Sequence, residues 1–340
     1  MALIHGVRWA VREGDYLEYD EVFSNHSDIR WPILMFSTMG RLGNCLSSYA
    51  TALTFHTTNT NNNDHTQQAT IAVAQNIFKS VSRVMDRRHL ALPVVGNELL
   101  LDVLDMGLSE VVRPDYLKDD HVSHLLPTIN RAVNEYIKTG KEKLYLLEGY
   151  PNKMKMLADH HQTIRSHFKI RPDLQEKARS FLDGVRRTRG HDVVTFIGVH
   201  IRRGDYVNFM EKFHHCSVPS ASYYHAALDH YRHTLHLLLP AGPPIVFVVC
   251  SDDLTHARHH LANHTDVVFS DLMEPEEDLA LLAACSHSVM TVGSFGFWAS
   301  YLAGGRVVYP LLRNCTHTPY VHPHSLGTRG YLNWLPLSIN

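Results

Sequence analysis

The chain has 340 residues, of which 44% are hydrophobic and 19% charged, and its formal net charge is −2. That balance describes a globular protein long enough for about two domains of ordinary size, and it excludes a disordered or fibrous chain. It also excludes a protein that holds nucleic acid through a broad basic face, so an anionic ligand must be met by a few placed cations.

In chain order, residues 1–30 show mixed periodicity and read as a peripheral segment. Trp31–Ser37 (WPILMFS) has the continuous apolar character of a buried strand and leads to the glycine pair Gly40 and Gly43. The stretch NCLSSYATALTFH then places Leu46, Tyr49, Ala50 and Leu53 at helical spacing, with Asn44 as the expected N-cap. Thr57–Gln68 (TTNTNNNDHTQQ) is polar and asparagine-rich, and reads as an exposed loop. Residues 71–171 alternate between helical and extended stretches without a chemical motif.

The second half is more regular. Val193–His200 (VVTFIGVH), Ile245–Cys250, Asp266–Phe269, Ser288–Val292 and Arg306–Pro310 have the apolar, β-branched composition of buried parallel strands. Helical stretches separate them: Pro219 to about Leu239, Asp253–Leu261, Glu276–Cys285 and Phe295–Leu302. This alternation predicts a doubly wound parallel sheet, whose ligands bind beyond the C-terminal ends of the strands. The turns after His200, Cys250 and Val292 are therefore where chemistry is expected.

Arg202, Arg203 and Asp205 follow the first of these strands. Two guanidinium groups at a strand end make bidentate, charge-assisted bonds to phosphate, although a plain surface Arg–Asp pair is the commoner use of such a turn. An adhesion reading of Arg203-Gly204-Asp205 fits poorly, because a buried strand runs straight into it. Ser251-Asp252-Asp253 follows the second strand and suits either a guanine edge or ribose, or simple helix capping by Ser251 or Asp252. Gly293-Ser294-Phe295-Gly296 passes from strand to helix, where free N–H groups bind phosphate or glycine merely permits close packing. Gly40-Arg41-Leu42-Gly43-Asn44 repeats that arrangement earlier in the chain and is expected to face the same phosphates from another domain.

Asp-x-Asp occurs nowhere, so arginines and helix dipoles are expected to neutralise a leaving diphosphate. The 26 histidines include His214-His215-Cys216, His256-x-x-His259-His260 and His322-x-His324, but none has a His-Glu-x-x-His form, and surface histidines are expected rather than a metal site. Cys45, Cys216, Cys250, Cys285 and Cys315 lack Cys-x-x-Cys spacing; their odd number leaves at least one outside any intramolecular bridge. Sequons at Asn25, Asn263 and Asn314 weakly favour a luminal setting. No run of about 18–20 apolar residues is present.

Taken together, GVHIRRGDY (Gly198–Tyr206), VFVVCSDDL (Val246–Leu254), DLALLAACSHSVMTVGSFGFWASYLAGG (Asp278–Gly305) and GRLGNCLSSYAT (Gly40–Thr51) resemble the α-1,2-fucosyltransferases of glycosyltransferase family 11. The resemblance spans roughly residues 32–309. It implies an α/β fold of GT-B type, with two facing Rossmann-like domains: residues 31–190 on the acceptor side and residues 191–340 binding GDP-fucose. It also implies inverting transfer of L-fucose onto the 2-hydroxyl of a terminal galactose on a glycan, with no metal and no nucleic-acid partner. Carried over by position, Arg202 binds the β-phosphate and assists departure of GDP. His200 and Asp252 lie near the guanosine, Ser294 and Phe295 near the diphosphate, with Arg203 beside them, and Gly40 and Gly43 close the site from the other domain. Asp205 is the candidate base, or else holds Arg202 or Arg203 in position. Cys45 stands where the family often has glutamine, and Ser294 where threonine is common. Family members are Golgi-lumen enzymes on an N-terminal membrane anchor, which this chain does not contain. Transfer to a different acceptor, and a non-catalytic glycan- or nucleotide-binding protein on the same fold, remain open alternatives.

Overall fold

A computed structural model describes residues 30–61, 69–112, 121–149, 154–312, 315, 326 and 330–338. The first half contains β1 (Ile33–Ser37), α1 (Leu42–Asn61), β2 (Thr70–Ala74), α2 (Gln75–Ser82), β3 (Val94–Val95), α3 (Asn97–Asp105), β4 (Ser109–Val112), α4 (His121–Thr139) and β5 (Leu144–Glu148). Three helices, α5 (Met154–Asp159), α6 (His161–His167) and α7 (Pro172–Arg189), link it to the second half. There follow β6 (Thr195–Ile201), α8 (Tyr206–His214), α9 (Ala221–Leu238), β7 (Ile245–Ser251), α10 (Leu254–Leu261), β8 (Val267–Phe269), α11 (Pro275–Ala283), β9 (His287–Met290), α12 (Ser294–Ala303), β10 (Val307–Leu311) and β11 (Trp334–Ser338).

The strands form two sheets, β3-β2-β1-β5-β4 and β11-β10-β9-β6-β7-β8, and every pairing within them is parallel. The doubly wound parallel sheet expected from the alternating pattern of the second half is therefore present, and so is the second parallel sheet that the resemblance implies. The chain reverses its direction across the first sheet between β1 and β5, and across the second between β6 and β9. Ligands of open parallel sheets bind at such reversals, because the connections on either side diverge and leave a crevice. Both reversals matter here, since α1 follows β1, α12 follows β9, and these two helices pack against one another.

Helix α1 is buried on nearly all sides, yet much of it is polar: Ser47, Ser48 and Thr51 have no exposed surface. It stays helical because the hydroxyls bond back to the preceding turn, Ser47 to Gly43 O at 3.1 Å, Thr51 to Ser47 O at 2.8 Å and Thr54 to Ala50 O at 2.9 Å. This corrects two sequence expectations. The helix begins at Leu42, so Asn44 is in its first turn and does not cap it, and Gly43 is inside the helix. Residues 57–61 are helical, not a loop, with residues 62–68 outside the described part of the chain. Trp298 of α12, fully buried, donates from Nε1 to Ser47 Oγ at 2.9 Å and ties the halves together.

Strand β11, unforeseen from the sequence, adds to the free edge of β10. Its Pro336 has no N–H to give to a ladder, which an edge strand tolerates. A disulfide joins Cys216 and Cys315, while Cys45, Cys250 and Cys285 are free and buried. Burial pushes these three thiols up, Cys285 to about 12, so none is a ready thiolate nucleophile.

Candidate functional site

The loop after β6 is fixed before any side chain is considered, because Arg202 N–H donates to the buried Thr291 hydroxyl at 2.8 Å. That bond ties the ends of β6 and β9 together at the sheet's reversal. The Arg202 guanidinium donates from Nη1 to Asp252 and from Nη2 to Asp205, and its Cζ lies 5.0 Å from the Tyr206 ring centroid. Asp252 also accepts from Arg203 N–H at 2.8 Å, and Arg203 Nε lies 3.5 Å from Asp253 Oδ2. The cap of α10 is Asp253, which accepts from His256 N–H at 3.0 Å, and the Ser251 hydroxyl accepts from Asp253 N–H at 3.0 Å; capping occupies Ser251 as the sequence suggested but not Asp252. Asp252 is thereby left to the arginines.

The opposite wall comes from the first half of the chain. Arg41 Nη2 lies 3.2 Å from Asp205 Oδ2, an exposed pair that spans the crevice. Asn44 Oδ1 accepts from Ser294 Oγ at 2.9 Å. Gly43 touches the start of α12 so closely that a Cβ on it would fall 2.7 Å from Phe295 N. Gly40 sits in the turn before α1, with the Asn44 side chain folded against it.

Gly293 precedes α12 with φ of +92°, a conformation that side chains rarely adopt, and a Cβ there would also meet Tyr206 Oη at 3.0 Å. No side chain caps this helix. Its first N–H groups, including those of Ser294 and Phe295, have no intrahelical acceptor and carry the positive end of the helix dipole. Arg202, Arg203, Arg41 and the start of α12 thus converge on one crevice, with Asp205, Asp252 and Asp253 as counter-charges. Such an arrangement is suited to a ligand that carries negative charge on several adjacent oxygens.

His200 is buried beneath Phe295, their ring centroids 5.0 Å apart, and its Nδ1 has no hydrogen-bond partner. Burial, and secondarily the Arg202 charge, depress its pKa from 6.5 to about 3. The imidazole is therefore neutral at any working pH. Above pH 6.5 folded and unfolded chains bind no proton here. Between 6.5 and 3 the unfolded chain takes one that the folded chain refuses, so stability decreases as the pH is lowered, at a slope approaching about 1.4 kcal/mol per unit. Urea unfolding at pH 7 and pH 5.5 should show a smaller acid loss for His200→Gln than for the wild type. Equal losses in both proteins contradict a neutral, buried His200.

All nine residues singled out from the sequence (Gly40, Gly43, His200, Arg202, Arg203, Asp205, Asp252, Ser294 and Phe295) line or underlie this one crevice. Sequence reasoning missed Arg41, Asn44, Tyr206 and Thr291 as parts of it. All four were inside the quoted motifs, but only tertiary contact shows what they touch. Of the histidine groups, His256, His259 and His260 stack edge-on along α10 with centroids 4.5 and 4.7 Å apart, and Cys216 is in its disulfide. Among the described residues no three or more His, Cys, Asp or Glu side chains gather as a metal site. His322 and His324 lie outside the described residues, as do the sequons at Asn25 and Asn314.

The family model of Glycosyl transferase family 11 matches residues 35–329, which includes both walls of the crevice. The chain belongs to glycosyl transferase family 11. Galactoside alpha-(1,2)-fucosyltransferase 2 of Oryctolagus cuniculus is 41% identical over 167 residues, 48% of this chain and 45% of that protein. Galactoside alpha-(1,2)-fucosyltransferase 1 of Sus scrofa is 32% identical over 275 residues, 79% of this chain and 65% of that protein. Galactoside alpha-(1,2)-fucosyltransferase 2 of Hylobates lar is 31% identical over 291 residues, 84% of this chain and 73% of that protein. The first of these matches spans less than half of the relative's length. Among solved structures, POFUT1 in complex with GDP is a remote likeness, with a TM-score of 0.48 and 12% identity over 80% of this chain and 94% of that one.

Proposed function

We propose that this family 11 chain transfers L-fucose from GDP-β-L-fucose to the 2-hydroxyl of a terminal galactose on a glycan. The observation that carries the reading is the convergence of Arg202, Arg203 and the uncapped start of α12 where the second sheet reverses. In this reading the diphosphate takes the place that Asp205 and Asp252 now hold on Arg202. The arginine fork and the α12 N–H groups then stabilise the negative charge that grows on GDP as it leaves. Asp252 and His200 stand on the guanosine side, and Ser294, Phe295 and Arg203 at the phosphates. Gly40 and Gly43 let the first half close on the donor. Residues 31–190 form the acceptor-side domain and residues 191–340 the donor-binding domain.

The acceptor 2-hydroxyl oxygen attacks the anomeric carbon of fucose from the face opposite the phosphate. The carbon–oxygen bond to the β-phosphate breaks, GDP departs, and the acceptor proton passes to a base. Asp205 fills that role once the diphosphate has released it from Arg202; until then it does what is seen here, pairing Arg202 and Arg41. The β-linked donor gives an α-linked product, an inversion, and the cationic cradle does the work a metal ion does in other transferases. The Cys216–Cys315 disulfide suits an oxidising compartment, in keeping with the Golgi lumen. No helix among the described residues is long and apolar enough to cross a membrane.

The reading is tested by incubating the purified protein with GDP-fucose and a set of β-galactosides, then following GDP release and product mass. A fucosylated galactoside should form, α-linked at O2 by NMR, at a rate unchanged by EDTA. If no acceptor releases GDP, the transferase reading fails in favour of a binding protein.

A further inference from the structure

We propose that Asn263 carries an N-linked oligosaccharide, and that this glycan covers an apolar hollow on the face of the second half remote from the crevice. Asn263-His264-Thr265 has the acceptor form for such a glycan and lies in the turn that joins α10 to β8. Asn263 and Thr265 are exposed, and no described residue hydrogen-bonds to either side chain. The fold uses the residue between them instead. His264 Nε2 lies 3.0 Å from His225 Nδ1, and Arg232 Nη2 lies 3.2 Å from His264 Nδ1. The Thr265 carbonyl accepts from Arg189 Nη1. Backbone and histidine therefore hold the turn, which leaves in water the two side chains that modification needs.

The place in the sheet keeps the glycan clear of the chemistry. Val267, at the start of β8, pairs with Phe247 of β7, and Asp252 lies five residues further on, roughly 17 Å at the rise of a strand. The Cys216–Cys315 disulfide suits the oxidising compartment in which such glycans are added. In the transfer, made by the host's machinery from a lipid-linked oligosaccharide diphosphate, Asn263 Nδ2 bonds to the anomeric carbon. The carbon–oxygen bond to the diphosphate breaks, the lipid diphosphate leaves and one amide proton goes to a base. What the glycan covers is on the same face. The end of α9 and the starts of β6 and β7 enclose a hollow of about 380 Å³, rimmed by Leu235, Leu239, Pro240, Pro244 and Asp266. Leu237, Leu238 and Leu239 beside it are each more than half exposed. Asp266 is three residues from Asn263, a span of at most about 10 Å, so the first sugars reach the rim. Exposed apolar surface of this kind calls for a cover, and a bulky, solubilising sugar supplies one.

The test takes the full chain, exported from eukaryotic cells behind a host secretion signal, and treats it with peptide N-glycosidase in heavy-oxygen water. Release of a glycan leaves heavy-oxygen aspartate at position 263, read by mass spectrometry on the peptide that holds it, apart from the sequons at Asn25 and Asn314. Unmodified asparagine at 263 throughout the folded protein overturns the proposal. Thr265→Ala, which keeps Asn263 and removes the acceptor form, should lose the modification and raise the fluorescence of the apolar dye ANS about 2-fold. Dye binding equal to wild type overturns the covering role. Leu239→Ser added to Thr265→Ala should return the signal to the wild-type level, and a rise that persists places the exposed surface elsewhere and overturns that role too. If Thr265→Ala is not exported, the Ser27→Ala/Thr316→Ala protein, stripped by the enzyme after folding, gives the same comparison. None of these readouts depends on fucosyl transfer, so failure here leaves the transferase reading standing.

Discussion

Replacing Arg202 by alanine is expected to lower fucosyl transfer at saturating donor by at least ~100-fold, mainly through kcat. One guanidinium bridges Asp205 and Asp252 across the end of β6, and its side chain is only 14% exposed. A cation held that firmly before the ligand arrives is preorganised, so it stabilises the charge developing on the leaving phosphate without having to reorganise as the bond breaks. Arg202→Lys should recover only part of the rate, because an ammonium is a point charge and cannot grip two phosphate oxygens in one plane. The melting temperature of Arg202→Ala separates catalysis from folding. Asp205 is largely solvated and Asp252 partly so, and removing their shared partner should shift the melt only slightly. Transfer at the wild-type rate in Arg202→Ala removes this residue from the mechanism and with it the placing of the diphosphate.

Gly43→Ala is expected to destabilise the protein and to reduce transfer by one to two orders of magnitude. The sign is informative, because alanine in place of glycine inside a helix ordinarily stabilises by up to about 1 kcal/mol. Here the added Cβ would come within 2.5 Å of Ser294 Oγ, 2.7 Å of Ser294 C and 2.7 Å of Phe295 N. Two of these atoms are backbone, so no rotamer change relieves the contact and the start of α12 must move. Overpacking of this kind costs roughly 1–3 kcal/mol, enough to outweigh the helix gain. The displacement also breaks the Ser294–Asn44 bond and misdirects the N–H groups meant for phosphate. A raised melting temperature in Gly43→Ala shows that α1 and α12 do not meet as described.

The doubly wound second half was legible because buried parallel strands are nearly continuous in apolar residues and the helices between them are amphipathic. The first half was harder to read. Helix α1 continues to Asn61 through a run of threonines and asparagines, a composition that imitates a loop from residue 57 onward. Strand β11 was invisible because an edge strand with a proline lacks the signal of a buried one.

The residues of the site divide in the same way. That Arg202, Asp252 and Ser294 stand at strand ends follows from the sequence alone, since the strand pattern and the order of elements place them there. Which carboxylate serves which cation does not follow. Asp253 caps α10, Asp252 is left for Arg202 and the Arg203 N–H, and Asp205 reaches Arg41 from the other half of the chain. These pairings link residues far apart in sequence, and they exist only because the reversals of two sheets bring α1 and α12 together. Composition and spacing determine what each segment can form by itself. Packing between the halves decides which of several equivalent polar groups meet.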